Sequence, residues 1–174
     1  SSIAPSRCWR RTWRSSPIRV RPWRCSRRLT RPPTETGKPW KNAAAEVASS
    51  ADLAVFMESE GSRFYGKTMT SPIPNRSVRT ERAPIGVCAA IMPFNSPLAG
   101  AAWKLFPALL CGNAVVVKSH EQTPYTAIAF ARLFQEAGLP RGLCSVVQGF
   151  GPDVGTPLVQ DGQNRNPSRN AGRA

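Results

Sequence analysis

Three short apolar runs, each followed by a segment of helix length, constrain this chain more than any other feature. Ile85 to Met92 (IGVCAAIM), Ala114 to Lys118 (AVVVK) and Cys144 to Val147 (CSVV) have the length of strands and are rich in β-branched or small apolar residues. None alternates polar with apolar, which is the pattern of strands covered on both faces. The first is expected to be a central strand. Between the runs, Ser96-Pro97 and Thr123-Pro124 each set an N-cap residue before a proline suited to the first helical turn. The first predicted helix passes through Trp103, Leu105, Phe106, Leu109 and Leu110 and closes at Gly112-Asn113, with Pro107 bending it. The second turns Ile128, Ala129, Ala131, Leu133 and Phe134 inward and stops at Gly138-Leu139-Pro140, and a further helix starts after Gly155. The order β-α-β-α-β-α with short connections and right-handed crossovers makes an α/β unit with a parallel sheet.

Ahead of this unit, Lys41 to about Phe64 is Ala-rich, free of Gly and Pro before Gly61, and reads as one helix. The stretch from Gly66 to Arg82 is punctuated by Pro and Gly and alternates at Ser77-Val78-Arg79-Thr80, which predicts an extended or hairpin arm.

The net charge of +14 points at first to nucleic acid or an acidic membrane surface. Its location changes the reading. Ten Arg and no acid lie in residues 1 to 33, and three more Arg with no acid lie in residues 162 to 174; removing those thirteen charges leaves +1 for residues 34 to 161. The division expected is therefore a disordered arginine-rich tail (1–34), a folded domain (35–161) and a second disordered tail (162–174). For the first tail three readings stand. Trp9, Trp13 and Trp23 among arginines would suit a basic nucleic-acid-binding arm, and an Arg- and Ser-rich, acid-poor segment would suit a mitochondrial targeting signal. The preferred reading is out-of-frame translation of GC-rich codons, because Arg, Pro, Ala and Gly dominate without any helical or strand period.

Five cysteines, an odd number without a CxxC pair and with His120 as the lone histidine, support neither a disulfide framework nor a zinc site. Cys88, Cys111 and Cys144 fall in apolar runs, where a reduced thiol behaves as a small hydrophobe, so a reducing, cytoplasmic setting is expected. No run approaches the roughly 18 apolar residues that a membrane helix needs.

In a parallel sheet ligands bind at the carboxyl ends of the strands, which selects Pro93 to Ser96, Lys118 to Gln122 and Gly149 to Gly155. The glycines at 149, 151 and 155 follow GxGxxxG and not GxGxxG, so on their own they signal a strand-to-helix turn. Lys118 and Glu121 on one loop can grip a ribose diol, the carboxylate accepting from the hydroxyls and the ammonium donating. A carboxylate there repels a 2′-phosphate, which favours NAD over NADP. Asn95 has an amide able to donate to a developing oxyanion, although Asn beside Ser-Pro is also ordinary turn chemistry. Lys104 reads alone as a surface lysine.

The run from Ala83 to Gly151 resembles the amino-terminal cofactor-binding part of aldehyde dehydrogenases. The motifs that carry the resemblance are PFNSP at Pro93, WKLFPALLCGN at Trp103, KSHEQTP at Lys118, EAGLP at Glu136 and VVQGFG at Val146, in family order and at family spacing. It reaches back to ETGKPW at Glu35 and forward to about Gln160. The resemblance implies a partial Rossmann-like sheet and a family that oxidises an aldehyde to a carboxylic acid with NAD(P) through a cysteine thioester, in enzymes that are usually homo-oligomeric. It implies that Asn95 is the oxyanion amide, with Lys104 near the active site. It further implies that Ile91, Met92, Pro93, Phe94, Asn95, Lys118, Ser119, Glu121, Gly151, Pro152 and Gly155 line the NAD site, Lys118 and Glu121 holding the adenosine ribose. Phe94 stands where many relatives have Trp. The family's catalytic cysteine and glutamate lie in a GQxC loop and an ELGG segment that do not occur in this sequence, so the chain by itself is expected to be an inactive fragment.

Overall fold

The computed structural model describes residues 34–161. The arginine-rich tails, with the nucleic-acid and targeting readings that belong to them, lie outside the described residues. A 3-10 turn at Thr34–Thr36 leads into α1 (Trp40–Gly61), the helix expected from the Ala-rich run. The predicted arm is a hairpin. Its strands β1 (Thr68–Thr70) and β2 (Ser77–Arg79) pair antiparallel with Thr68 opposite Arg79, and every residue of both is exposed. Gly66 is required at its base, because a Cβ there would stand 1.7 Å from the Thr80 carbonyl oxygen.

The α/β unit follows as β3 (Val87–Ile91), α2 (Pro97–Leu110), β4 (Ala114–Lys118), α3 (Pro124–Glu136) and β5 (Cys144–Val147). A π-helical turn at Gly151–Gly155 then runs into α4 (Thr156–Gln160). The three strands are parallel in the order β3-β4-β5, with Cys88, Val115 and Cys144 in register and Ile91, Lys118 and Val147 in register three rows on. One expectation is corrected here. Among the described residues β4 is the middle strand and β3 an edge, because only one side of β3 is paired. Its unbroken apolar character reports side chains needed on both faces and says nothing about which edges are paired.

Strand side chains alternate between faces, so register decides which ones the helices cover. Cys88 and Ala90, Val115 and Val117, and Cys144 and Val146 point to one face. That face packs against Leu98, Ala101, Ala102, Leu105 and Leu109 of α2, Ala127, Phe130 and Ala131 of α3, and Leu53 of α1. Crossovers of one hand put both helices on the same side of a sheet whose strands follow chain order. Phe106, Phe130 and Phe134 seal the α2–α3 contact, with centroids 4.9 to 5.8 Å apart and two of the three pairs edge to face. Ala89, Ile91, Val116, Lys118 and Val147 belong to the opposite face.

The helix starts correct a second expectation. Ser96 and Thr123 occupy the N-cap positions of α2 and α3, but neither side chain makes a cap hydrogen bond. Two distant acids supply the acceptors. The Glu46 carboxylate receives the backbone N–H groups of Leu98 (2.8 Å) and Ala99 (3.0 Å). Glu35 receives those of Tyr125 (2.6 Å) and Thr126 (3.0 Å), together with the Thr126 hydroxyl. A full negative charge at a helix N-terminus satisfies donors that the helix itself cannot and also complements its dipole. The segment 34–46 therefore ties both crossover helices to α1.

Asn113, expected to close α2, does more than end a helix. Its buried amide donates to the Ala108 carbonyl (3.1 Å) and accepts from the backbone N–H groups of Ile85 (2.7 Å) and Gly86 (3.0 Å). One side chain thus joins the end of α2 to the start of β3. No helix among the described residues is long and apolar enough to cross a membrane.

Candidate functional site

The carboxyl ends of the strands are held side by side. The Met92 N–H donates to the Lys118 carbonyl (2.9 Å), which extends the β3–β4 ladder one step past Ile91. The Lys118 side chain, a strand terminus that could have been solvated, is only 4% exposed and donates from Nζ to Glu121 Oε2 at 3.2 Å. A buried ammonium needs such a partner, since leaving it unpaired costs several kcal/mol (order of magnitude). Glu121 keeps its carboxylate partly open to solvent. A backbone N–H first of all, and then Lys118 by hydrogen bond and charge and His120 by charge, hold that carboxyl below its ordinary range against the opposing effect of desolvation.

His120 lies between the two tips. Its Nδ1 accepts from the Gln122 N–H at 3.2 Å, its Nε2 is 3.7 Å from Glu121 Oε1, and its ring centroid is 5.1 Å from that of Phe94. Ser119 is buried and its hydroxyl donates to Gln148 Oε1, while the Gln148 amide donates to the Pro124 carbonyl (3.3 Å). The tip of β4 is thereby tied to the tip of β5.

After β5, Gly149 has a φ of +146°, and a Cβ there would stand 2.4 Å from Val154 Cγ2, so only glycine makes this turn. Around Gly151 and Gly155 a Cβ would meet nothing within 4 Å. Gly155 is itself buried, whereas the Gly151 backbone is exposed and can be approached closely.

Among the residues singled out from sequence, Ile91, Pro93, Phe94, Lys118, Ser119, Glu121, Gly151, Pro152 and Gly155 fall on these three adjoining tips. Met92 sits there too, but its side chain joins the helix-facing core and is 3% exposed. Asn95 is exposed and opens onto a cleft of about 480 Å³ whose lining mixes Lys38, Asn42, Glu46 and Ser49 with Ala45 and Ala99. Lys104 is set apart from the ribose pair. Its Nζ donates to the Ile91 carbonyl (2.7 Å), burial lowers its pKa, and it lines a different cleft with Arg82, Trp103, Cys88 and Cys111.

Lys38, Glu46 and Gln148 were missed from sequence as members of this region. Gln148 follows β5 directly, one residue before the selected Gly149, and its position alone could have selected it. Lys38 and Glu46 act 57 and 52 residues away in sequence, and no local window signals that.

The described thiols are poor nucleophiles. Burial pushes Cys144 up to about 11, and raises Cys88 and Cys111 as well, with the neighbouring Cys111 adding to the first and Arg82 offsetting part of the second. At pH 8 a thiol at about 11 is roughly 0.1% thiolate, against roughly 25% for an unperturbed cysteine. Carbamidomethylation of Cys144 in the folded chain is therefore expected to run about 100-fold slower than that of free cysteine, followed by peptide mass spectrometry; equal rates would refute this placement. Among the described residues no three His, Cys, Asp or Glu side chains cluster as a metal site requires.

Comparison with known proteins places this geometry in context. Residues 32–166 match the sequence profile described as the aldehyde dehydrogenase family. A 3,6-anhydro-alpha-L-galactose dehydrogenase of Streptomyces coelicolor is 47% identical over 125 residues, covering 72% of this chain and 25% of that protein. The crystal structure of an Escherichia coli NADP dependent enzyme superposes with a TM-score of 0.78 at 34% identity, covering 90% of this chain and 32% of that one. A Staphylococcus aureus betaine aldehyde dehydrogenase, solved in complex with NAD+, gives a TM-score of 0.78 at 30% identity, covering 84% and 29%. The chain spans about a quarter of the length of the curated relatives it matches.

Proposed function

Because this chain belongs to the aldehyde dehydrogenase family, we propose that it supplies the dinucleotide-binding part of an enzyme that oxidises an aldehyde to a carboxylic acid. The observation that carries this reading is the Lys118–Glu121 pair at 3.2 Å on the tip of the middle strand, with the ammonium buried and the carboxylate open. Such a pair offers one donor and one acceptor to vicinal hydroxyls, which is the chemistry of the adenosine ribose. The open space beside the exposed Gly151 suits close approach of a pyrophosphate to the backbone. The exposed Phe94 ring, tilted 55° against that of His120, borders the groove.

The dinucleotide supplies a hydride acceptor when bound. This chain's own residues bind and orient. Lys118 and Glu121 fix the ribose, Ile91, Pro93 and Phe94 line the groove, and the main chain around Gly151 and Pro152 borders it. Asn95 donates its amide to the aldehyde oxygen as negative charge develops there, lowering the barrier to attack on the carbonyl carbon. Lys104, in the neighbouring cleft, holds the Ile91 carbonyl that precedes the Asn95 turn. NAD is the cofactor proposed over NADP, because Glu121 repels a 2′-phosphate.

The proposed division of the chain is a dinucleotide-binding domain at 35–161 between two tails. A reducing, cytoplasmic setting is proposed from the free thiols Cys88, Cys111 and Cys144, and homo-oligomeric assembly from the family resemblance. Parallel fluorescence titrations of the chain with NAD and with single-stranded DNA, each at two salt concentrations, test the reading. Saturable NAD binding with little salt dependence supports it; steeply salt-sensitive DNA binding without NAD binding would contradict it.

A further inference from the structure

We propose that Lys38 and Glu46 are positioning residues for the Asn95 amide, a role that rests on the reading of Asn95 as an oxyanion donor. Asn95 lies in the irregular turn between β3 and α2, and the residue after it, Ser96, has φ −139° and ψ 68° with no side-chain cap. The Ser96 carbonyl takes the Gly100 N–H at 2.8 Å, and the Ser96 side chain adds no hold of its own. Two side chains, Lys38 just before α1 and Glu46 in its second turn, hold the turn from outside. Lys38 Nζ donates both to Glu46 Oε2 and to the Asn95 carbonyl, the latter at 2.7 Å. The other carboxylate oxygen of Glu46 takes the N–H groups of Leu98 and Ala99 at 2.8 and 3.0 Å.

The pair therefore grips the stretch 95–99 at both ends, its carbonyl from Lys38 and its helical donors from Glu46. Each member needs the other. The Lys38 and Glu46 side chains are only 18% and 10% exposed, so removing one leaves its partner's charge nearly dry. From the far side, Lys104 holds the Ile91 carbonyl at 2.7 Å, and a Cβ on Gly100 would stand 3.3 Å from the Pro93 ring. The turn is thus bounded on several sides, and the charged pair is its tie to α1. An oxyanion donor must be aimed before the charge appears, so a clamp on its backbone sets how well the amide can serve.

The test uses the whole 174-residue chain and needs no nucleotide, so its outcome is separate from that of the NAD titration. The Asn95 side-chain amide pair is assigned in a ¹H–¹⁵N spectrum as the signal lost in Asn95→Asp. Lys38→Met is expected to move or split that pair while the Val115 and Val117 amides keep their positions, and Lys38→Arg is expected to return it to the parent position. Glu46→Gln, which keeps size and one acceptor oxygen, is expected to move the Asn95 signals as well and to speed amide exchange at Leu98 and Ala99 by about tenfold. Asn95 signals that stay in place in both Lys38→Met and Glu46→Gln overturn the proposal, as does failure of Lys38→Arg to restore them. If NAD fails to bind while these shifts occur, the clamp stands and the cofactor reading falls.

Discussion

Replacing Glu121 with alanine is expected to raise the Kd for NAD by about 10- to 100-fold, because hydrogen bonds to a charged acceptor contribute roughly 1.5–3 kcal/mol. Two effects add. The ribose loses its acceptor, and the nearly buried Lys118 loses the carboxylate that compensates it. NADP should respond in the opposite sense, since the repulsion of its 2′-phosphate disappears while the Lys118 ammonium remains. The preference for NAD over NADP is thus expected to narrow sharply, as isothermal titration of both nucleotides would measure. A fall in affinity of equal size for the two would contradict the assignment of Glu121 to the ribose.

The pH dependence carries its own sign. Because the Glu121 carboxyl is held below its ordinary range, chiefly by a backbone N–H, it stays ionised through neutral and mildly acidic pH. Its contribution is present above the ordinary carboxylate range and is lost only as pH falls through the lowered value.

Leu105→Ala is expected to lower the stability of the folded unit by about 2–5 kcal/mol, the range for removing a fully buried leucine without collapse of the site. Leu105 is 2% exposed in the core that joins α2 to α1, the strands and α3. Against a typical total of about 5–15 kcal/mol for a domain, this loss is large. Urea denaturation followed by circular dichroism measures it, and a shift in midpoint equivalent to less than about 1 kcal/mol would show that the helix-facing side of the sheet is not the core described.

The strands and helices could be read from the sequence because their signals are local. Runs such as AVVVK and proline-led helix starts at Pro97 and Pro124 need only a short window, and α1, α2, β4, α3 and β5 fall where those signals place them. The close pairing of Lys118 with Glu121 was legible for the same reason, three residues apart on one loop. What escaped depends on distance along the chain. Ser96 and Thr123 look like caps by type, yet Glu46 and Glu35 take the backbone donors, brought there by α1 and the segment before it. Likewise Asn113 reads as a helix terminator, and only the fold brings the Ile85 and Gly86 N–H groups to its oxygen. The rank of β3 in the sheet was beyond reach too, for an apolar run records which faces are covered and not which edges are paired.

In the reading proposed, three strand tips form one dinucleotide groove. Mapping backbone amide shifts of the chain during titration with NAD tests it most directly. Saturable changes are expected at Ile91 to Asn95, Lys118 to Glu121 and Gln148 to Gly155. Shifts centred instead on the exposed hairpin Thr68–Arg79 or on the outer face of α1, or no shifts at saturating nucleotide, would contradict it.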